Sequence, residues 1–278
     1  MPSTFVHLRV HSDYTLGLGA SKVGDLFGKA ARLGHPALAI TDRRNLHGGF
    51  ELSKYADKTG VQPIVATEVF IQASRTEAGS VLLLAQDETG YANVCRILNM
   101  SVRNGGKIKG ALDSDGVREL TSLRRSGEDV TAGIIAIAGT AELGYYTKAA
   151  KADVKAADEG TAWLARLFPG RFYIEICRNG FPTPEEVQTE RAALELAVRT
   201  GLPIVATTEV WYTDESRHDA YEILKATGGD SKKILNYDDH TGLESTTERR
   251  YHMRGTEEMR ELFADLPEAL ENAGNIAR

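Results

Sequence analysis

Phe5-Val-His-Leu-Arg-Val-His-Ser-Asp-Tyr14 alternates apolar and polar residues over its first half, the period of a strand with one face turned to a core. Side chains two apart on a strand share a face, so His7, Arg9 and His11 are expected on the same side. A His-x-His pair at that spacing is a ready set of two metal ligands. Here the series is His7-x-Arg9-x-His11, with a guanidinium in the middle. Arginine keeps its proton and offers no lone pair, so Arg9 cannot hold a metal. The stretch is therefore either part of a metal centre or the remains of one.

Outward from this strand, short apolar runs alternate with helix-length amphipathic segments. Apolar spacing from Ala20 to Leu33 predicts a helix that stops at Gly34. Pro36–Ile40 reads as a buried strand running into Thr41-Asp42-Arg43-Arg44-Asn45. A helix over 46–59 ends before Gly60, and Val61–Gln72 is a strand with Glu68 near its middle. Ser80–Ala85 is a further strand, followed by a helix over 89–102. Residues 103–116 are rich in glycine and basic residues and read as a surface loop. Gly133–Ala138 is a buried strand, 149–167 a helix and Arg171–Cys177 a strand. Pro184–Thr200 is a long helix, with proline at its entry and acids in its first turn. Pro203–Thr207 is the last buried strand, leading into Thr208-Glu209-Val210-Trp211-Tyr212. Residues 214–227 are helical, 229–250 polar and irregular, and two helices cover 256–264 and 267 onward.

Repeated strand–helix units with continuous apolar strands predict a parallel sheet covered by helices, and six or seven such units can close into a barrel. The chain ends inside a helical run, Glu268–Arg278, which reads as a cut from a longer protein. With 278 residues, 42% apolar and 26% charged, the composition is that of an ordinary globular protein. A net charge of −6 argues against a domain devoted to gripping phosphate backbones. The two cysteines, Cys95 and Cys177, fit no disulfide or metal pattern, and no run approaches the length of a membrane span. A cytoplasmic location without membrane contact is expected.

Polar residues at strand ends are the candidates for chemistry: Arg9, His11, Asp13, Asp42, Arg43, Glu68, Glu175 and Glu209. Phe5–Tyr14, Ala37-Leu-Ala-Ile-Thr-Asp42, Pro63-Ile-Val65, Leu82-Leu-Leu-Ala85 and Pro203-Ile-Val-Ala-Thr207 together resemble the polymerase-and-histidinol-phosphatase (PHP) domain family. More narrowly, they resemble the N-terminal PHP domains of bacterial replicative DNA polymerase III α subunits. Glu257–Asn272 is similar to that group's link towards the polymerase body. The resemblance implies a distorted (β/α)7 TIM-like barrel over residues 1–255, with 256–278 as the helical link.

In active members of the family, nine His, Asp, Glu or Cys ligands hold a metal cluster at the C-terminal ends of the strands. Carried onto this sequence, the first ligand falls on Arg9 and the second on His11. Further ligand positions fall on Leu18, Arg43, Glu68, Ser80, Thr140, Glu209 and Trp211. Only His11, Glu68 and Glu209 remain as usable donors, too few for chemistry that needs two or more neighbouring cations. No bound metal or other cofactor is expected in this domain. Arg9 and Arg43 put permanent charge where metal would sit, and an arginine fork suits carboxylates, so ion pairs to Glu68 and Glu209 are expected to replace the cations. Removing a well-buried Glu68 would then cost on the order of 3–5 kcal/mol.

The bland alternatives are surface arginines for Arg9 and Arg43, a hydrogen-bonded strand histidine for His11, and simple packing for Trp211. His7, His35, His47, His218, His240 and His252 show no paired spacing and are expected to be solvated. Lys107 and Lys109 are expected in a solvated loop. The resemblance implies a non-catalytic domain that docks the proofreading 3′–5′ exonuclease subunit and supports the polymerase body of the same chain. DNA is met only through the parent polymerase. The competing readings are a metal-dependent phosphoesterase, pyrophosphatase or exonuclease with a reduced site, and a standalone hydrolase of the histidinol-phosphatase type.

Overall fold

The segment that begins the chain is extended but is not a regular strand. It joins its neighbours through isolated parallel bridges, His7 to Leu38 and Val10 to Val210. On one edge Ala39 and Thr41 donate backbone N–H to the carbonyls of His7 and Val10, at 3.0 and 2.7 Å. On the other, Val210 donates to Arg9 and His11 donates to Val210, at 3.1 and 2.9 Å. The structure, a computed structural model, describes residues 5–72, 78–103, 111–112, 119–120, 123, 127–230 and 250–278. These form α/β architecture in two compact units: 1–65, 177–182 and 205–278 make the first, and 66–176 and 183–204 the second.

In the first unit, α1 (Val23–Arg32) turns Val23, Leu26, Phe27 and Ala30 inward, an apolar stripe at helical spacing. They pack with Val10, Leu38, Ile40, Leu52, Val210 and Met253 in one cluster. Strand β1 (Ala37–Ile40) runs parallel to the start of β2 (Gln62–Ile71), with Ala37 opposite Gln62 and Ile40 opposite Val65. Between them α2 (Gly49–Thr59) closes on Gly60, whose φ of 73° is left-handed and whose N–H returns to the Ala56 carbonyl. The glycine stop read from the sequence is therefore a helix cap.

The second unit departs from the parallel sheet predicted. From Ala66 to Ile71, β2 pairs antiparallel with β3 (Gly79–Ala85), which is also antiparallel to β5 (Ile134–Gly139). β5 and β6 (Phe172–Cys177) do run parallel, as does the short β4 (Ala111–Leu112), which joins β2 opposite Phe70 and Ile71. The reason lies in chain length. Residues 72–78 are too few for a parallel crossover, which takes a dozen or more, whereas a reversal needs only a short turn. β4 falls within the stretch read as a loop, the rest of which lies almost wholly outside the described residues. A helix α3 (Glu88–Arg103) follows β3.

The helix predicted over 149–167 is two: α4 (Tyr145–Ala152) and α5 (Val154–Leu167). Asp153 between them is extended (φ −164°, ψ 118°), and its carboxylate accepts from the Lys155 N–H as the cap of α5. Helix α6 (Pro184–Thr200) has the boundaries its sequence announces, with a capping box. Glu186 N donates to Thr183 Oγ1 at 3.2 Å and Thr183 N donates to Glu186 Oε2 at 2.6 Å. Strand β7 (Ile204–Thr207) comes next.

In the first unit, a 3-10 turn (Glu215–Arg217) leads into α7 (His218–Asp230), and α8 (Thr256–Leu262) and α9 (Pro267–Ile276) close the chain. The irregular segment read at 229–250 lies mostly outside the described residues. Among the described residues no helix is long and apolar enough to cross a membrane.

Gly139 marks the tightest part of the second unit's sheet. A Cβ there would sit 2.0 Å from the Glu175 carbonyl oxygen and 2.7 Å from its backbone nitrogen. Gly139→Ala should therefore lower unfolding free energy by about 3 kcal/mol, the upper part of the overpacking range, in a urea titration. An unchanged midpoint would contradict the packing described.

Candidate functional site

In the first unit the site is built where the extended N-terminal segment, the end of β1 and the residues after β7 come together. Thr41-Asp42-Arg43 continues β1, and Asp42 is almost wholly buried. Its carboxylate accepts the Ser12 backbone N–H (2.7 Å), the Ser12 hydroxyl (2.6 Å) and the Thr15 hydroxyl (2.7 Å). Burial pushes this carboxyl above its usual range, against the pull of those donors. Asp42 thus brackets the turn after His11, and its oxygens are committed to holding the backbone. Asp13 is exposed.

Trp211 is the centre of the arrangement. It is fully buried and its ring stacks on His11, with centroids 3.9 Å apart and planes 13° apart. The Arg43 guanidinium carbon lies 4.8 Å from the Trp211 ring centre, a cation–π contact, and Tyr221 stacks at 6.1 Å. Leu18 packs in the same apolar cluster as Trp211, Tyr212, Tyr221 and Tyr251. Arg9 is fully buried and Arg43 nearly so, which overturns the reading of either as a surface arginine.

Glu209 is buried and held by Asn179, which sits on the loop after β6. Asn179 donates through Nδ2 to Glu209 Oε2 at 3.3 Å, and its Oδ1 accepts from Glu209 N (2.8 Å) and the Thr208 hydroxyl (3.0 Å). Arg254 completes the knot, donating through Nη1 to Thr208 Oγ1 (2.8 Å) and through Nη2 to the Asn179 carbonyl (2.9 Å). Arg250 donates to the Gly180 carbonyl at 3.1 Å. The sequence reading missed Asn179, Arg250 and Arg254. An Asn-Gly dipeptide after a strand marks a turn, and was the available signal for Asn179. The two arginines carry no local pattern.

In the second unit Glu68 is fully buried on β2, opposite Leu82 of β3. Because β3 is reversed, Ser80 at its start stands opposite Phe70, towards the C-terminal end of β2. Ser80 is buried and its N–H donates to the Leu143 carbonyl at 2.7 Å. Thr140 follows β5 and donates its N–H to the carbonyl of buried Glu175 at 3.1 Å.

Several histidines expected in solvent are buried instead. His7, His35 and His218 are nearly inaccessible, and His218 Nδ1 lies 3.3 Å from the Tyr212 hydroxyl. His252 is mostly covered, with Glu215 and Glu258 oxygens 3.8 and 3.6 Å from its ring nitrogens. Only His47 is exposed as expected, while His240, Lys107 and Lys109 lie outside the described residues. Side-chain burial depends on what the rest of the chain lays over a position, and spacing within a segment does not report it.

The residues present do not fit the metal cluster that the resemblance implies. Arg9 is a buried cation, and Leu18 and Trp211 belong to an apolar cluster. The imidazole of His11 is stacked face to face on an indole. Among the described residues no group of three or more His, Cys, Asp or Glu side chains is placed to hold a metal ion.

This chain belongs to the PHP domain family, whose model matches residues 7–179. Over 99% of its length it is 36% identical to the DNA polymerase III subunit alpha of Escherichia coli (strain K12), of which it spans 22%. It is 30% identical over 99% of its length to the same subunit of Borreliella burgdorferi, spanning 23% of that protein. The chain thus covers less than a quarter of either relative. Among solved structures, an amidohydrolase from Chromobacterium violaceum with bound sulfate and no metal superposes with a TM-score of 0.43 at 16% identity, over 74% of this chain and 87% of that one.

Trp211→Ala would empty the centre of the stack. It should cost about 3–5 kcal/mol in unfolding free energy, as for other fully buried aromatic side chains. A loss below about 1 kcal/mol by calorimetry or denaturant would show that the ring is not part of the packed core.

Proposed function

We propose that this chain is the PHP domain of a bacterial replicative DNA polymerase, catalytically silent itself. It serves as a scaffold for the polymerase body and as the docking site of the proofreading 3′–5′ exonuclease subunit. In this reading residues 1–255 form a distorted (β/α)7 barrel, 256–278 lead towards the polymerase body, DNA is met only through the parent polymerase, and the protein works in the cytoplasm. One observation carries the loss of chemistry. Leu18 and Trp211, at two positions where the family places ligands, lie in a single apolar cluster, and His11 is stacked on that tryptophan. Metal-assisted hydrolysis needs open coordination positions and paired cations, and an indole and an isobutyl group supply neither.

Charge replaces coordination in the same unit. We infer that Arg9 and Arg43, buried in the same unit as Glu209, bring positive charge to positions where active members hold cations and offset that carboxylate. Glu209→Ala should then cost on the order of 3–5 kcal/mol, because it leaves buried guanidinium charge unbalanced. Glu209→Ala melting with the wild type would remove the charge-balancing role.

Protein purified without chelator and dialysed against zinc or manganese should retain less than about 0.1 equivalent of metal, with an unchanged melting temperature. The exonuclease subunit of the same replicase should co-elute with the chain in size-exclusion chromatography. Two or more retained equivalents would favour a metal-dependent phosphoesterase or exonuclease instead, and absence of co-elution would refute the docking role.

A further inference from the structure

Helix α6, in the second unit, turns Ala193, Leu196 and Ala197 inward. A helix covered on one side needs one apolar stripe, and its outer face is expected to be polar. On α6, however, Val187 and Val198 are 54% and 87% exposed, and Leu194 is half-buried. With Arg191 they form a second stripe, Val187–Arg191–Leu194–Val198, in steps of four, three and four residues. That is the 3.5-residue period of a coiled-coil seam, carried for about 16 Å along the helix. The groove along these side chains is lined wholly by α6.

Charge on this face is ordered. Arg191 donates through Nε to Glu195 Oε1 at 3.1 Å, one turn along, and both side chains are largely exposed. At the edge of the seam Arg199 is held by Asp158 of α5. An exposed pair such as Arg191–Glu195 adds little to the helix itself. An arginine inside an apolar seam instead fixes register, because only a surface that brings a carboxylate beside it is matched. The face has that composition when read in reverse. With a two-fold axis between positions 192 and 193, Val187 lies opposite the partner's Val198, and Arg191 opposite the partner's Leu194. Arg191 then falls within about 1.5 Å, along the axis, of the level of the partner's Glu195, on the same flank. The four charges alternate in sign. In a parallel pairing Arg191 would meet Arg191, and Glu195 would meet Glu195.

We propose that the outer face of α6 is a self-association surface. Two copies of this chain pair antiparallel along Val187, Arg191, Leu194 and Val198, with Arg191 and Glu195 forming ion pairs across the two-fold axis. The interface is isologous, so both copies use the same patch and the assembly closes as a dimer. Three turns of helix cover less than the roughly 1,200 Å² of a stable interface, so the dimer is weak, with a Kd on the order of 100 µM. It is separate from the docking role above and does not depend on it.

Sedimentation equilibrium of the full 278-residue chain between about 5 and about 500 µM should show a reversible monomer–dimer equilibrium. Val198→Lys should weaken it by about tenfold or more, and Val187→Lys, at the other end of the seam, decides if Val198→Lys lowers the melting temperature. Arg191→Glu and Glu195→Arg each set like charges against one another and should each weaken association by about tenfold. An equimolar mixture of these two variants pairs opposite charges again and should associate within about threefold of the wild type. A purely local ion pair would show no such rescue. The proposal is overturned by a wild type that stays monomeric, by association undiminished in the lysine variants, or by a mixture no tighter than its components. It is equally overturned if the wild type is monomeric and Val198→Lys abolishes co-elution with the exonuclease subunit, since the face then belongs to a different partner.

Discussion

Residues 7–11 are bonded along both edges, to Ala39 and Thr41 on one side and to Val210 on the other. A chain held this way cannot rotate to move its side chains to the other face. Whatever occupies positions 7, 9 and 11 must be accommodated inside, and all three are fully buried. That constraint makes a guanidinium at position 9 a demanding occupant. The backbone cannot give way, so the neighbouring elements must supply the surroundings a permanent cation demands.

Around that segment the first unit is filled by apolar and aromatic packing. Leu18 joins four buried aromatic rings, and His11 lies flat against one of them. Contacts of this kind reinforce one another. With an indole filling the space, a polar group placed at a neighbouring position would face an apolar wall, so these residues form one packed arrangement.

Much of this organisation is legible in the sequence. Apolar runs became strands, Gly60 and Gly201 end helices in left-handed conformation, and Pro184 with Thr183 and Glu186 fixes the start of α6. These signals are local, written within a few residues of the backbone they govern. The misreadings are non-local or compete with the pattern used. Asp153 sits within an amphipathic run, and its capping preference breaks the helix. β3 is as apolar as a parallel strand, and only the brevity of 72–78 discloses its direction. His7 and His35 look like ordinary surface histidines until Arg254, far away in sequence, is laid over them. At the site, Arg9, His11, Arg43 and Glu209 were legible as polar residues at strand ends. The Trp211 stack was not, because it depends on where four separate segments meet.

The reversal of β3 bears on the order in which the second unit assembles. A pair of antiparallel strands joined by a short connection closes little chain entropy and forms in microseconds. β5 and β6 must instead wait for the two helices between them before their parallel ladder can register. β2 and β3 are therefore the natural nucleus, a template edge already present when β5 arrives. Mutations that weaken the pairing of Ala66–Ile71 with Gly79–Leu84 would slow folding, whereas those in β6 would chiefly hasten unfolding.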